Sequence, residues 1–220
     1  MVPKDFGFSE NRSEIYLLNR WLSSFRLEES RMNTLIVFCT HYGATASTSE
    51  EIAKGLWDEG FEVRVVNSKR EKIRNISDYE LVIIGSDMKL MRCCGETEKF
   101  LKKFQDELRR KKTAIFVSSG TRVIYQHEGD TDTLEKEWKK NLVDKIKRYS
   151  LNPIALASFG GVLDYNQMGF LARKTMNLLV DKIEAAGVQE QEPGIYDTRD
   201  WNEIRKWTKD LAQKVREYDA

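Results

Sequence analysis

Hydroxyl side chains are concentrated in one short stretch of the sequence, residues 40–49. Five of these ten residues are Ser or Thr, and the stretch also contains Gly43. It leads into a predicted helix, for which Ser49 is the expected N-cap. Hydroxyl groups, exposed backbone N–H groups and the positive end of a helix dipole together favour a bound phosphate with little need for cationic side chains. Because capping a helix needs only one such residue, the density of hydroxyls indicates a phosphate-binding loop.

Motifs for other kinds of nucleotide site are absent from the sequence. No GxxxxGK[ST] segment occurs, which excludes a P-loop, and no GxGxxG follows the predicted first strand, which argues against a dinucleotide site there. The sequence also shows no catalytic triad and no cluster of metal ligands, and both histidines, His41 and His127, fall in predicted loops. We therefore predict no catalytic side chain and no metal site.

The composition is typical of a globular protein without a strong charge bias. The 220 residues include 36 Lys and Arg against 35 Asp and Glu, and 40% are hydrophobic. This balance lacks the basic excess of nucleic-acid-binding proteins. No apolar run approaches the ~20 residues of a membrane span, and the N-terminus lacks the apolar core of a signal peptide. We expect a cytoplasmic protein without a nucleic-acid partner.

The three cysteines, Cys39, Cys93 and Cys94, do not suggest a structural cross-link. Their number is odd and no CxxC pair occurs, so neither a disulfide framework nor a zinc site is expected. A disulfide between the neighbours Cys93 and Cys94 would be strained. This cysteine usage fits a reducing compartment.

Five short apolar segments after Met32 alternate with segments of helical periodicity. Short, continuous apolar runs are typical of strands that are buried on both faces. Their alternation with helices predicts an α/β fold, a doubly wound five-stranded parallel sheet of order 2-1-3-4-5 with helices on both faces. Ligands of such sheets bind at the carboxyl ends of the strands beside strand one, where the hydroxyl-rich loop falls. The predicted strands are Thr34–Thr40, Phe61–Asn67, Leu81–Ser86, Thr113–Gly120 and Pro153–Gly161.

The helical segments carry apolar residues at intervals of three and four. The predicted helices after strand one, at residues 95–108, at 171–186 and at 201–218 belong, with the strands, to one domain over residues 32–220. A further apolar stripe is predicted to face the sheet and to bury Trp138; its members are Leu134, Trp138, Leu142 and Ile146.

Residues 1–31 look like an N-terminal extension of that domain. Their apolar residues recur at helical spacing, which predicts one amphipathic helix. A partly disordered extension is the alternative. The apolar residues are Ile15, Leu18, Trp21, Leu22 and Phe25.

The hydroxyl-rich loop resembles the phosphate loop of the flavodoxin family. That loop follows strand one as a hydroxyl residue, a spacer, a second hydroxyl residue, Gly, a spacer and Thr. Thr40, Gly43 and Thr45 match this pattern. The resemblance implies a bound flavin mononucleotide (FMN).

The loop departs from the family pattern at Tyr42 and in its greater length before the helix. The extra length leaves two alternatives for the last phosphate contact. One is Thr45, and the other is the pair Thr48 and Ser49.

A narrower resemblance, over most of residues 33–215, is to the flavodoxin-domain subgroup that contains the menaquinone-dependent protoporphyrinogen IX dehydrogenases. It implies an oxidoreductase that passes electrons through FMN to a quinone or another carrier. The segments that carry it are THYGATASTSEEIA, SDMKLMRCCGETEKFLKKF, FGGVLDYNQMGFLARKTMNLL and YDTRDWNEIRKWTKDLA.

The resemblance also implies that loops after strands three and four flank the flavin ring. In many family members the first of these loops carries an aromatic residue that stacks on the flavin. This sequence has none there, and Met88 is an apolar candidate in its place. The chemistry would belong to the cofactor, so no catalytic side chain is implied. The implied cofactor-binding residues are Thr40, His41, Tyr42, Gly43, Ala44, Thr45, Ser86, Asp87, Met88, Cys94, Ser118, Ser119 and Gly120.

A porphyrinogen substrate would need cations for its carboxylates. The candidates are Lys89, Arg92, Arg122 and Arg173, although each can also be read as an ordinary surface charge.

Two other functions stay open from the sequence. One is a non-enzymatic electron shuttle that docks to a redox partner protein, and the other is an interaction module that has lost its cofactor. Shuttle flavodoxins are typically acidic, so a net charge of +1 favours the enzyme. A quinone acceptor would bring the protein to the bilayer surface as a peripheral contact, and a homodimer is also compatible with the sequence.

Overall fold

The central sheet forms because the apolar strand segments pair in parallel and are covered on both faces. The computed structural model describes residues 31–41, 43–89, 92–167 and 179–219. Five strands lie parallel in the spatial order β2-β1-β3-β5-β6, and a two-residue strand, β4, pairs antiparallel with the end of β3. This confirms the predicted 2-1-3-4-5 order of the parallel strands. The strands are β1 (Asn33–Cys39), β2 (Glu62–Asn67), β3 (Leu81–Lys89), β4 (Arg92–Cys93), β5 (Lys112–Ser119) and β6 (Ala155–Gly160).

Helices cover both faces of this sheet. They are α1 (Ala44–Asp58), α2 (Gly95–Lys103), α3 (Gln105–Leu108), α4 (Arg122–Glu128), α5 (Thr131–Trp138), α6 (Asp144–Tyr149), α7 (residues 179–185) and α8 (Trp201–Asp219). Alternate β1 residues point to opposite layers: Leu35 and Val37 pack with residues of α2 and α3, whereas Ile36 packs with residues of α1 and α8.

A second, smaller sheet was not predicted. Its three strands pair antiparallel in the order β7-β9-β8, and they are β7 (Val162–Asp164), β8 (Glu190–Glu192) and β9 (Ile195–Asp197). These strands have only three residues each, and β8 is polar and exposed. The sequence therefore contains no alternation of apolar and polar residues long enough to predict them. Leu163 and Tyr196 pack with Ile124 of α4 in a separate apolar cluster.

The first helix begins earlier than the sequence indicates. Gly43, not Ser49, is the N-cap of α1, and it has a φ of 92° in the left-handed region that suits glycine. Ser49 lies inside the helix, fully buried, and its hydroxyl donates to the carbonyl of Thr45 over 2.7 Å. The prediction of Ser49 as N-cap was therefore wrong, and Thr45 falls in the first turn of α1.

Trp138 does not face the sheet as predicted. Leu142 is fully buried in the core, whereas Trp138 is 37% exposed. Between them runs a π-helical turn, Lys139–Val143, whose wider turn shifts the register of the helix. The apolar stripe that precedes this turn therefore does not continue in the same register after it.

The two side chains should differ in their contribution to stability. We expect Leu142→Ala to lower the free energy of unfolding by ~2–5 kcal/mol, because it leaves a cavity in a closed core. Trp138→Ala should cost less, since much of its ring is already in water. Urea denaturation of both variants measures this, and a larger loss for Trp138→Ala would contradict the placement.

The predicted N-terminal helix and residues 168–178, which include the first half of the predicted 171–186 helix, lie outside the described residues. Residues 32–220 form one compact unit. Among the described residues, no helix combines the length and the apolar character that crossing a membrane requires.

Candidate functional site

Three of the predicted loops meet at one edge of the sheet. In the parallel register, Cys39 at the end of β1 pairs with Ser86 of β3, and Asp87 pairs with Ser118 of β5. The carboxyl ends of these neighbouring strands therefore bring together residues 40–41 and 43–45 after β1, residues 86–89 at the end of β3, and residues 118–120 at the end of β5. This edge, beside β1, is where doubly wound sheets bind their ligands.

The loop after β1 turns directly into the start of α1. The Gly43 N–H donates to the Thr40 hydroxyl over 3.0 Å, which closes the turn. Ala44 and Thr45 open the helix, so their N–H groups have no carbonyl one turn earlier to bind. These donors and the helix dipole make the start of α1 favourable for an anion.

Three of the five buried hydroxyls that have no partner among the described residues belong to α1 and to the end of β5. The Oγ1 atoms of Thr45 and Thr48 and the Oγ atom of Ser118 are buried and have no hydrogen-bond partner among the described residues. A buried unsatisfied hydroxyl costs roughly 1–3 kcal/mol, so such groups call for an explanation. A bound anion would supply an acceptor for the Thr45 hydroxyl, because Thr45 lies in the first turn of α1.

A histidine–aspartate pair joins the first two loops. The backbone N–H of His41 donates to the Asp87 carboxylate, and the His41 Nδ1 atom lies 2.9 Å from the same group. Asp87 is buried, so the contact fixes the loop after β1 against the end of β3. Tyr42 lies outside the described residues.

The cysteines contradict the expectation that no disulfide forms. Cys39 and Cys94 are disulfide-bonded, with Cα atoms 6.0 Å apart, although they are separated by 55 positions in the sequence. Neighbouring strand ends and the return of the chain through β4 place them together. Glu96 Oε2 lies 3.3 Å from the Cys94 sulfur. Cys93 is the free cysteine of the described residues, and burial raises the pKa of its thiol.

Other predicted cofactor-binding residues, at the ends of β3 and β5, form hydrogen bonds or packing contacts within the protein. The Ser86 hydroxyl accepts from the Cys94 N–H over 3.0 Å, and the Ser119 hydroxyl lies 3.2 Å from that of Thr121. Met88 is half-buried and packs against the core layer of α2. A Cβ atom on Gly120 would lie 2.7 Å from Leu163 Cγ, so glycine is needed there for close packing.

Of the four predicted substrate-binding cations, the structure describes the side chains of Arg92 and Arg122. Arg122 is engaged by Glu203 of α8 through two hydrogen bonds of 2.8 and 2.9 Å. Arg92 is exposed on β4, opposite Lys89 in the strand pairing. Arg173 lies outside the described residues.

Sequence reasoning missed Arg199. Its guanidinium makes hydrogen bonds of 2.8 and 2.6 Å to the Asp197 carboxylate, and each of the two side chains is 9% exposed. The same group donates to the Ala44 carbonyl over 3.2 Å and to the Ser47 hydroxyl over 2.5 Å. It also lies 4.3 Å from the ring centroid of Trp201. Arg199 therefore fixes the first turn of α1, and the only signal for it was the distinctive segment DTRDW.

The chain is similar to several known proteins. A curated relative, protoporphyrinogen IX dehydrogenase [quinone] of Escherichia coli K12, is 23% identical over 181 residues, which cover 82% of this chain and 95% of the relative. Among solved structures, a flavodoxin from the domain Archaea is 16% identical, with a TM-score of 0.43, over 71% of this chain and 99% of its own. The flavodoxin of Megasphaera elsdenii is 19% identical, with a TM-score of 0.43, over 70% of this chain and 98% of its own.

A family model described as the flavodoxin domain matches residues 35–187. That match spans more than half of the chain. It includes β1 from residue 35 onward and the whole of the other four parallel strands. Together with the sheet order and the loop after β1, it assigns the fold and the general class of redox protein. The chain belongs to the flavodoxin domain family.

Proposed function

We propose that the protein binds FMN, with the phosphate at the start of α1 and the flavin ring between the loops after β3 and β5. The observation that carries this proposal is the buried, unpaired hydroxyl of Thr45 in the first turn of α1. A phosphate oxygen would accept from that hydroxyl and from the N–H groups of Ala44 and Thr45. The residues present fit the group, because donors converge there and a Cβ atom on Gly43 would meet no protein atom within 4 Å.

The chain's own residues then act as positioning and shielding groups. A bound flavin supplies the transfer of a hydride or of single electrons. Arg199 holds the first turn of α1, and the His41–Asp87 pair holds the loop before it. Residues 86–88 and 118–120 would flank the ring. No side chain is needed as a catalytic acid, base or nucleophile.

For the reaction, we propose an oxidoreductase of the protoporphyrinogen dehydrogenase type that passes electrons through FMN to a quinone or another carrier. Support comes from the near full-length match to the Escherichia coli relative, which carries that name. The second candidate is an electron shuttle between redox proteins. The balanced charge of the chain favours the enzyme over a shuttle, whose docking usually depends on an acidic rim.

Thr45→Val should weaken FMN binding by ~1–3 kcal/mol without lowering stability, because it removes a hydroxyl donor that has no partner in the protein. Thr113→Val is the matched control, since Thr113 also has a buried unpaired hydroxyl but lies near the opposite end of β5. Quenching of flavin fluorescence measures both affinities, with riboflavin as the ligand that lacks the phosphate.

Two results would count against this assignment. Equal affinity for riboflavin and FMN would exclude a phosphate site. Normal binding by Thr45→Val together with weak binding by Thr48→Val would move the phosphate contact to the later hydroxyl.

The proposed reaction is tested by anaerobic oxidation of protoporphyrinogen with a quinone as acceptor, using protein fully loaded with FMN. Turnover that depends on the quinone supports the enzyme. Absence of turnover with several quinones, combined with rapid electron exchange with a redox protein, would establish the shuttle instead.

A further inference from the structure

Five side chains that can ligate a metal ion meet where β1 ends and α2 begins. Donor atoms of Cys39, Cys94 and Glu96 lie within 4.8 Å of one another. Donor atoms of His41, Asp87 and Cys94 form a second such group, so the two groups share the Cys94 sulfur. We call these five residues the thiol cluster. Its donors come from three separate segments of the chain, which is why no motif in the sequence predicts them.

The thiol cluster is closed around its sulfurs and open on one side. Cys39 and Cys94 are 0% and 1% exposed, whereas the side chains of His41 and Glu96 are each 33% exposed. Solvent therefore reaches the imidazole and the carboxylate. This side gives a metal ion a path to the buried sulfurs.

The disulfide alone does not explain the position of the Glu96 carboxylate. Its Oε1 atom pairs with Lys99 over 3.3 Å, but its Oε2 atom lies 3.3 Å from the Cys94 sulfur and 3.8 Å from the Cys39 sulfur. A disulfide sulfur has no proton to donate, so the carboxylate gains no hydrogen bond from either sulfur. A cation bound to this oxygen and to both sulfurs would account for the contact.

Reduction of the disulfide would make both sulfurs available as ligands. Given a Zn–S distance of about 2.3 Å, two sulfurs on a tetrahedral Zn²⁺ ion lie about 3.8 Å apart. The Cα atoms of Cys39 and Cys94 are 6.0 Å apart, so rotation of the two side chains reaches this separation. Cys94 is also the N-cap of α2, where the helix dipole favours the thiolate form of a cysteine.

We propose that the thiol cluster, with Cys39 and Cys94 reduced, binds a Zn²⁺ ion. The two thiolates and Glu96 supply three ligands, and the His41–Asp87 pair supplies the fourth. Binding converts two thiols to thiolates and releases their two protons, with no change in oxidation state. Sulfur and nitrogen donors favour Zn²⁺ over Mg²⁺ and Ca²⁺, which prefer oxygen ligands. The site goes beyond the proposed flavin chemistry and does not require FMN, so either proposal can fail while the other stands.

The experiment compares zinc binding by the oxidised and the reduced full chain, with any bound flavin left in place. A phosphine and water reduce the disulfide to two thiols, the phosphine becomes its oxide, and both are removed under nitrogen. Metal analysis after gel filtration gives the zinc content. We expect about one Zn²⁺ ion per reduced chain and none per oxidised chain. With Co²⁺ as the probe, the reduced chain should show the thiolate-to-cobalt charge-transfer band in a difference spectrum.

Three variants locate the ion. Cys94→Ser should abolish zinc binding, and Glu96→Gln should weaken it at least about tenfold. Glu96 is partly exposed, so its variant should keep the fold. The matched control is Cys93→Ser, which removes the neighbouring thiol and should bind zinc like the wild-type chain. The Cys93 sulfur lies 3.5 Å from Asn141 Oδ1 and does not belong to the thiol cluster.

Three results would overturn the proposal. The first is a reduced wild-type chain that holds no zinc and shows no cobalt charge-transfer band. The second is equal zinc content in the oxidised and reduced chains, which would assign the ion to carboxylates and imidazole without the sulfurs. The third is loss of zinc in the Cys93→Ser control, or unchanged affinity in Cys94→Ser or Glu96→Gln, which would place the ion elsewhere.

Discussion

Arg199→Ala should lower the free energy of unfolding by ~3–5 kcal/mol, because it leaves the carboxylate of Asp197 buried without its partner. It also removes the donors that hold Ala44 and Ser47, so the first turn of α1 loses its link to the C-terminal part of the chain. FMN affinity should therefore fall in the same variant. Urea denaturation and flavin titration measure the two effects.

Arg205→Ala is the matched control for that variant. Arg205 also joins α8 to α1, through Glu51, but its side chain is 55% exposed. Exposed pairs contribute roughly 0–1 kcal/mol, so this change should be nearly neutral. If the two arginine variants unfold at the same urea concentration, the buried pair does not stabilise the fold as argued.

A double-mutant cycle separates two contributions to this loss of stability. One is the lost attraction between Arg199 and Asp197, and the other is the cost of leaving one charge buried without a partner. Asp197→Ala combined with Arg199→Ala should be less destabilising than the sum of the single changes, because no unpaired ion is left behind. Additive effects would mean that the two side chains act independently.

Gly160→Ala should destabilise the protein at or above the upper end of the ~1–3 kcal/mol expected for overpacking. A Cβ atom there would overlap the carbonyl oxygen of Thr198 and would lie 2.6 Å from its carbonyl carbon. Backbone atoms cannot rotate away as a side chain can. The strand end at Gly160 and the segment before Arg199 would have to separate, which would also displace Arg199 from α1.

Gly95→Ala provides the comparison for Gly160→Ala. Gly95 is the first residue of α2, and a Cβ atom there meets nothing within 4 Å. Alanine should therefore be neutral or should raise stability by up to ~1 kcal/mol. Thermal unfolding of both variants measures the difference, and equal losses would show that close packing at Gly160 is not responsible.

Local patterns were sufficient to predict the positions of the five parallel strands and their order. Each strand is a short apolar run, and sequence alternation with helices restricts how such strands can be connected. The loops that meet at the carboxyl edge follow from the same rule, since neighbouring parallel strands end on one side. The ends of the strands were predicted less accurately than their positions. β3 continues to Lys89 because it pairs with β4, and no residue pattern within β3 predicts that pairing.

The sequence by itself therefore determined the sheet, its order and the hydroxyl-rich loop at its edge. Each strand, like the loop, is a pattern of neighbouring residues, and the alternation of strands with helices restricts the order in which parallel strands can pair. Only the tertiary structure decided which side chains support that loop. Arg199 reaches Ala44 across 155 positions, and Cys39 meets Cys94 across 55. Such contacts depend on which helices, strands and loops come together in the folded protein, and a local pattern of residues does not contain this information. The exposure of Trp138 also depends on the tertiary structure. A π-helical turn follows this residue and shifts the register of the helix, so the side chain is not buried as its spacing predicted.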